Sequence, residues 1–125
     1  MRVVKKGEGE PEFSIVGSLH GDEPAGKNAI EKVLDEDLKF EKTVQFIVGN
    51  ERALEKDTRY TESDLNRSFP GDKNSDIYEE RLAGKIMEKV KGTKVLDIHT
   101  TCSYPLPFAT FSNLNETTRD LLKCT

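Results

Sequence analysis

Short apolar runs rich in β-branched and aromatic residues alternate along this chain with stretches of helical periodicity, and that alternation leaves few architectures open. Residues 13–17 read as a buried strand that runs straight into Ser18-Leu19-His20-Gly21. Beyond it Ala25, Ala29 and Val33, with Ile30 and Leu34, recur at helical spacing and predict one apolar helix face, with Pro24 in the first turn, where its missing N–H costs nothing. Residues 44–48 form a second predicted strand, closed by Gly49 and Asn50. From Asp76 onward Leu82, Ala83, Ile86, Met87 and Val90 predict a second helix that stops at Lys91-Gly92. Residues 95–98 read as a third strand ending on His99, and residues 108–111 as a fourth. Between the second strand and the second helix, residues 51–72 are polar and without periodicity, a loop of a length that usually carries function.

Strand–helix–strand alternation predicts an α/β architecture, a mostly parallel or mixed sheet flanked by helices, as one domain over residues 1–125. Such sheets bind ligands beyond the carboxyl ends of their strands, and the chemically distinctive residues of this chain fall there.

Composition removes several classes of function. Net charge is −4 with acids and bases interspersed, which argues against a nucleic-acid surface. No apolar run approaches the roughly 20 residues of a membrane span, and residues 1–6 lack the apolar core of a signal peptide. Two cysteines, Cys102 and Cys124, make no disulfide framework and no C-x-x-C pair, so a reducing cytoplasm is the expected compartment and a zinc–thiolate cluster is disfavoured.

The chain holds two histidines, and each follows the end of a predicted strand. His20 has Glu23 three positions on, across a glycine-containing turn that enters a helix. An imidazole and a carboxylate at that spacing can converge on one cation, and His99 from another strand end would complete three protein ligands. Three ligands leave a position open for water, as in catalytic rather than structural zinc sites. The alternative from these residues alone is a pair of polar strand-end histidines, since H-x-x-E pairs also arise by chance. In the polar stretch, Arg59, Asn66 and Arg67 can bind a carboxylate through paired N–H donors. The competing reading is a solvated loop whose arginines pair with Glu62 and Asp64.

Taken in order and spacing, His20-Gly21-Asp22-Glu23, Thr58-Arg59-Tyr60, Asp64-Leu65-Asn66-Arg67 and Asp97-Ile98-His99-Thr100-Thr101 resemble the succinylglutamate desuccinylase/aspartoacylase family, within the wider zinc carboxypeptidase-like fold. The resemblance runs from the first predicted strand to just beyond His99. It implies that His20, Glu23 and His99 ligate one Zn²⁺ per chain and that Asp64 orients the first zinc histidine. It implies that Arg59 polarises the scissile carbonyl and stabilises the oxyanion, a catalytic role, and that Asn66 and Arg67 bind the substrate carboxylate. Thr100 and Thr101 would shape the pocket beside the metal.

The activity implied is hydrolysis of the amide bond of small N-acyl amino acids. The family also uses a glutamate from a later strand as general base. Glu116 and Asp120 lie in a polar helix start rather than a strand, so the expectation is that this chain lacks the base and is part of a longer enzyme. Two other classes stay open: a zinc carboxypeptidase acting on peptides, and a non-catalytic zinc- or anion-binding fragment. An open sheet edge, or the Leu121-Leu122 tail, is expected to drive association into a homo-oligomer.

Overall fold

Five consecutive β-prone residues, Val44–Val48, are all buried, which for a strand requires cover on both faces and hydrogen bonds on both edges. The computed structural model, which describes residues 1–101, 108–110, 115–116 and 118–119, meets both demands. Its strands are β1 (Arg2–Lys6), β2 (Phe13–Gly17), β3 (Val44–Val48) and β4 (Lys94–Ile98), and its helices are α1 (Ala25–Asp35), α2 (Glu51–Glu55), α3 (Leu65–Ser68) and α4 (Tyr78–Val90). The sheet order is β1-β3-β2-β4, with β1 antiparallel to β3 and β2 parallel to both β3 and β4. The mixed α/β fold expected from the alternation is present.

Side-chain alternation sorts the core into two layers. Val44, Phe46 and Val48 face α1, where Ile30 is buried among them and Phe13, Ile15, Val33 and Leu34 pack around it. Val16 and Ile47 face the other way, against Leu65 of α3 and Leu82, Ala83 and Ile86 of α4. The buried face of α1 carries Gly26 and Ile30, while Ala25 and Ala29, expected on that face, are exposed. Gly26 explains the shift: a Cβ there would stand 2.8 Å from the Cα of Gly17, so the helix lies directly on the end of β2 through its glycine. In α4, Leu82, Ala83 and Ile86 are buried as expected, whereas Met87 is exposed. No helix among the described residues is long and apolar enough to cross a membrane.

Three sequence expectations are corrected. Arg2–Lys6, to which the sequence reading assigned no element, is an edge strand; its half-exposed pattern needs no apolar signature, because the backbone of β3 supplies the pairing. Residues 51–72 are not one irregular loop but contain α2 and α3, each too short to show a period. Asn50 caps the first by accepting from the Ala53 amide, and Asp64 caps the second by accepting from the Asn66 amide. Residues 108–110 are exposed and form no strand, while Phe111, Cys102, Cys124 and the Leu121-Leu122 tail lie outside the described residues. The predicted helix start near Asn115 is present: the Thr118 amide donates to Asn115 Oδ1 at 3.0 Å, and the Asn115 amide donates to Thr118 Oγ1 at 2.8 Å.

Candidate metal centre

Parallel register brings distant residues together here. Gly17 pairs with Val48 on one side and with Ile98 on the other, so the carboxyl ends of three strands lie level. His20 leaves one of these ends and His99 another. Beyond Gly17 the chain turns through Ser18 in the left-handed region, with φ of 55°, an unusual conformation for a residue with a Cβ. The buried Ser18 hydroxyl stitches the turn shut: it donates to the Glu23 carbonyl at 2.8 Å and accepts from the Lys27 amide at 3.0 Å. The turn thereby presents His20 and Glu23 on one side. Gly21, also buried, leaves no room for a side chain, since a Cβ would meet the backbones of Ala53 and Thr58.

The three sequence-predicted ligands converge. One ligand atom from each of His20, Glu23 and His99 can be chosen so that all lie within 4.8 Å of one another. Glu23 sits between the imidazoles, its Oε1 2.9 Å from His20 Nδ1 and its Oε2 3.1 Å from His99 Nδ1. Oε2 also accepts from the Thr100 amide at 2.8 Å. The far nitrogen of each ring meets a further carboxylate: His20 Nε2 lies 2.9 Å from Asp64 Oδ1, and His99 Nε2 lies 2.7 Å from Asp97 Oδ2. Ionised carboxylates only accept, so Asp64 and Asp97 take the Nε2 protons, and the two Nδ1 atoms are the ring nitrogens that face Glu23 and the common point.

Electrostatics match that arrangement. Burial alone would raise the Glu23 carboxyl, but the Thr100 amide and the two imidazoles outweigh it and hold the group below its usual range. Asp64 behaves likewise, with burial opposed by His20, the Asn66 amide and Arg59. The Asp97 carboxylate, against partial burial and with help from Glu23, pushes His99 up to about 9. Three carboxylates thus surround two imidazoles, with the Arg59 guanidinium as counter-charge. Two nitrogens and a carboxylate oxygen converging in an electronegative setting are a donor set that suits zinc, with a position left for water or substrate.

Arg59 lies over this group, its Nη1 3.6 Å from Glu23 Oε1 and its Nε 3.4 Å from Asp64 Oδ2. Asn66 and Arg67 follow Asp64 on α3, and among the described residues neither side chain has a hydrogen-bond or ion-pair partner. Of the ion pairs the solvated-loop reading requires, Arg59 makes one with Asp64, whereas Arg67 is exposed and makes none. Glu62, its other required acid, is taken by Arg52 at 2.8 Å and by the Tyr78 amide at 2.7 Å.

Two residues of the centre escaped the sequence reading. Asp97 had a signal: in a strand, positions two apart share a face, so an acid two before a histidine can turn back to its ring. Ser18 had none, because a left-handed serine is chosen by the turn around it.

The succinylglutamate desuccinylase/aspartoacylase catalytic domain model matches residues 10–120. A probable aspartoacylase of Prochlorococcus marinus is 35% identical over 100 residues, spanning 70% of this chain and 33% of the relative. An N-acyl-aromatic-L-amino acid amidohydrolase (carboxylate-forming) of Xenopus tropicalis is 32% identical over 104 residues, spanning 71% of this chain and 33% of the relative. The chain therefore spans about a third of the length of the curated relatives it matches. The crystal structure of an aspartoacylase family protein from Mesorhizobium loti superimposes with a TM-score of 0.67 at 27% identity, over 78% of this chain and 33% of that one. Sequence motifs, strand-end geometry and these likenesses agree, and the chain belongs to the succinylglutamate desuccinylase/aspartoacylase family.

Proposed function

We propose that residues 1–125 carry the metal-binding part of a zinc-dependent hydrolase that cleaves the amide bond of N-acyl amino acids. The observation that carries this reading is the convergence of His20, Glu23 and His99 within 4.8 Å, with both outward ring nitrogens already held by carboxylates. A zinc ion held by these three residues supplies Lewis acidity, polarising an acyl carbonyl and acidifying water toward a pKa of about 7.

The chain's own residues do the rest. Asp64 and Asp97 hold each Nε2 and set the tilt of the imidazoles, so that each Nδ1, now against Glu23, is the nitrogen that would ligate. Arg59 uses part of its five-donor fork on Glu23 and Asp64, and its remaining N–H groups stabilise the oxyanion that develops on the substrate. Asn66 and Arg67, unpartnered among the described residues, grip the carboxylate of the amino-acid portion. Among the described residues no acid at the site is free to accept the proton, and the family resemblance assigns that task to a glutamate of a later strand. Glu23, Asp64 and Asp97 are each committed to an imidazole, and Glu62 caps α4.

The test is elemental analysis of protein dialysed against zinc. The expected result is close to one zinc per chain, lost on alanine replacement of His20, Glu23 or His99. Stoichiometric zinc retained by all three variants would end the assignment. Beside it, this chain should hydrolyse N-acyl amino acids far more slowly than a protein extended to supply the glutamate, by about 10²- to 10⁴-fold.

A further inference from the structure

Glu79, in the first turn of α4, is fully buried and carries a charge that no ligand contact explains. Its carboxylate collects five donors. Oε1 accepts from the Thr61 amide at 2.7 Å, the Thr61 hydroxyl at 2.8 Å and Asn50 Nδ2 at 3.3 Å. Oε2 accepts from the Glu62 amide at 3.1 Å and the Ser63 amide at 3.2 Å. Three consecutive backbone N–H groups thus close on one carboxylate. That segment is the link between Arg59 and Asp64, the two residues that bracket the metal centre from the loop side.

The location decides what this anion is for. Residues 61–63 have neither strand nor helix to hold them, so their amides need an acceptor. A neutral acceptor would satisfy fewer of them; an ionised carboxylate takes several short, charge-assisted bonds. Asn50, bonded to the same carboxylate, accepts from the Ala53 amide, and its own amide donates to the Ser18 carbonyl. Glu79 therefore ties α4 to the loop before Asp64 and to the turn that carries His20. The residue immediately after the gripped amides is Asp64, whose Oδ1 receives His20 Nε2.

We propose that Glu79 is a positioning residue that acts on the metal centre through Asp64: by holding the amides of residues 61–63 it sets the carboxylate that orients His20. The inference rests on reading His20, Glu23 and His99 as a zinc site, and its test separates the two.

The experiment compares wild type with Glu79→Gln, which keeps the shape of the side chain while replacing one acceptor oxygen by a carboxamide NH2 that can only donate. In the metal-free chain, the Thr61, Glu62 and Ser63 amides should lose at least about tenfold of their hydrogen-exchange protection, while amides of β3 keep theirs. Exchange of the His20 Nε2 ring proton, followed by NMR, should accelerate by a similar factor. Zinc affinity, from competition with a chromophoric chelator, should fall about tenfold, as for other residues that orient a ligand indirectly. Because Glu79 works through Asp64, Asp64→Asn should cost less affinity in the Glu79→Gln background than alone. Loss of the loop amides with His20 exchange and zinc affinity both unchanged would overturn the proposal and leave Glu79 as a fold pin. Faster His20 exchange in a chain that takes up no zinc even as wild type would sink the zinc reading and keep this one. If Glu79→Gln does not fold, Thr61→Ala, which deletes one donor, should give about two- to fivefold effects on the same readouts. No change there would also overturn it.

Discussion

Asp64 performs two tasks with one carboxylate, and substitution can separate them. It caps α3 by accepting from the Asn66 amide at 2.9 Å, and it orients His20 through Nε2. Asparagine caps a helix as well as aspartate does but brings no charge to an imidazole. Asp64→Asn is therefore expected to leave the melting temperature nearly unchanged and to weaken zinc binding by about 10- to 100-fold, read by chelator competition alongside a thermal melt. Arg67 offers a second contrast. Its side chain has no partner among the described residues, so Arg67→Ala should leave stability within about 0.5 kcal/mol, the usual range for surface changes. The same change should weaken binding of an N-acetyl amino acid to the zinc-loaded protein, and Arg67→Lys should not restore it, because an ammonium lacks the two-point fork. Titration calorimetry gives the answer, and equal affinity of all three proteins would remove Arg67 from the site.

Among the elements, α4 and the loop it grips are set apart by their dependence on a buried charge. Burial would raise the Glu79 carboxyl, but the Thr61, Ser63 and Asn50 donors prevail and hold it below the usual glutamate range. A folded-state value lowered from 4.5 contributes stability that is present above pH 4.5 and is lost as pH falls through the lower folded value. Urea unfolding of wild type and Glu79→Gln should therefore differ most near neutral pH, with the gap closing in acid below that range; a gap constant with pH would mean that the charge contributes nothing. The contact between α1 and β2 makes a steric prediction. Gly26→Ala places a methyl 2.8 Å from Gly17 Cα, and neither partner is a side chain that can swing aside. About 1–3 kcal/mol of destabilisation is expected, as for other overpacked contacts, despite alanine's higher helix propensity.

For the molecule as a whole, the two edges of the sheet formed by the described strands, β1 and β4, differ in character. The β1 edge is charged, with Arg2, Lys5 and Lys6, a composition that discourages further pairing. β4 pairs with β2 alone among the described strands, and Val95 and Leu96, on opposite faces, are 52% and 57% exposed. An unpaired edge with apolar side chains on both faces recruits another strand. This chain is therefore expected to form homo-oligomers in a concentration-dependent way, and Leu96→Lys should shift sedimentation toward the monomer. A wild-type chain that stays monomeric at high concentration would remove the edge from consideration.

Most of the architecture was legible in the chain because it is written in local patterns. The apolar runs of β2, β3 and β4 and the periodicity of α1 and α4 announce themselves within ten residues or so, as does the glycine-containing turn from His20 to Glu23. The motifs that marked the family are short and contiguous for the same reason. What lay beyond reach depends on partners distant in the chain. β1 is a strand only because β3 runs beside it, and α2 and α3 are too brief to show a period. Ala25 and Ala29 lose their place in the core because Gly26 lets α1 sit elsewhere. His99 meets Glu23 across 76 positions only through the parallel register of β2 and β4. Glu79 drew no notice in the sequence, where it is one of two adjacent acids, and its importance appears only when the amides of residues 61–63 close on it. Periodicity and turn chemistry are properties of neighbours in sequence, so the sequence by itself determined the longer elements and the residue types of the site. Register and burial are properties of neighbours in space, so only the tertiary structure decided which imidazole faces which carboxylate, and which charge holds them there.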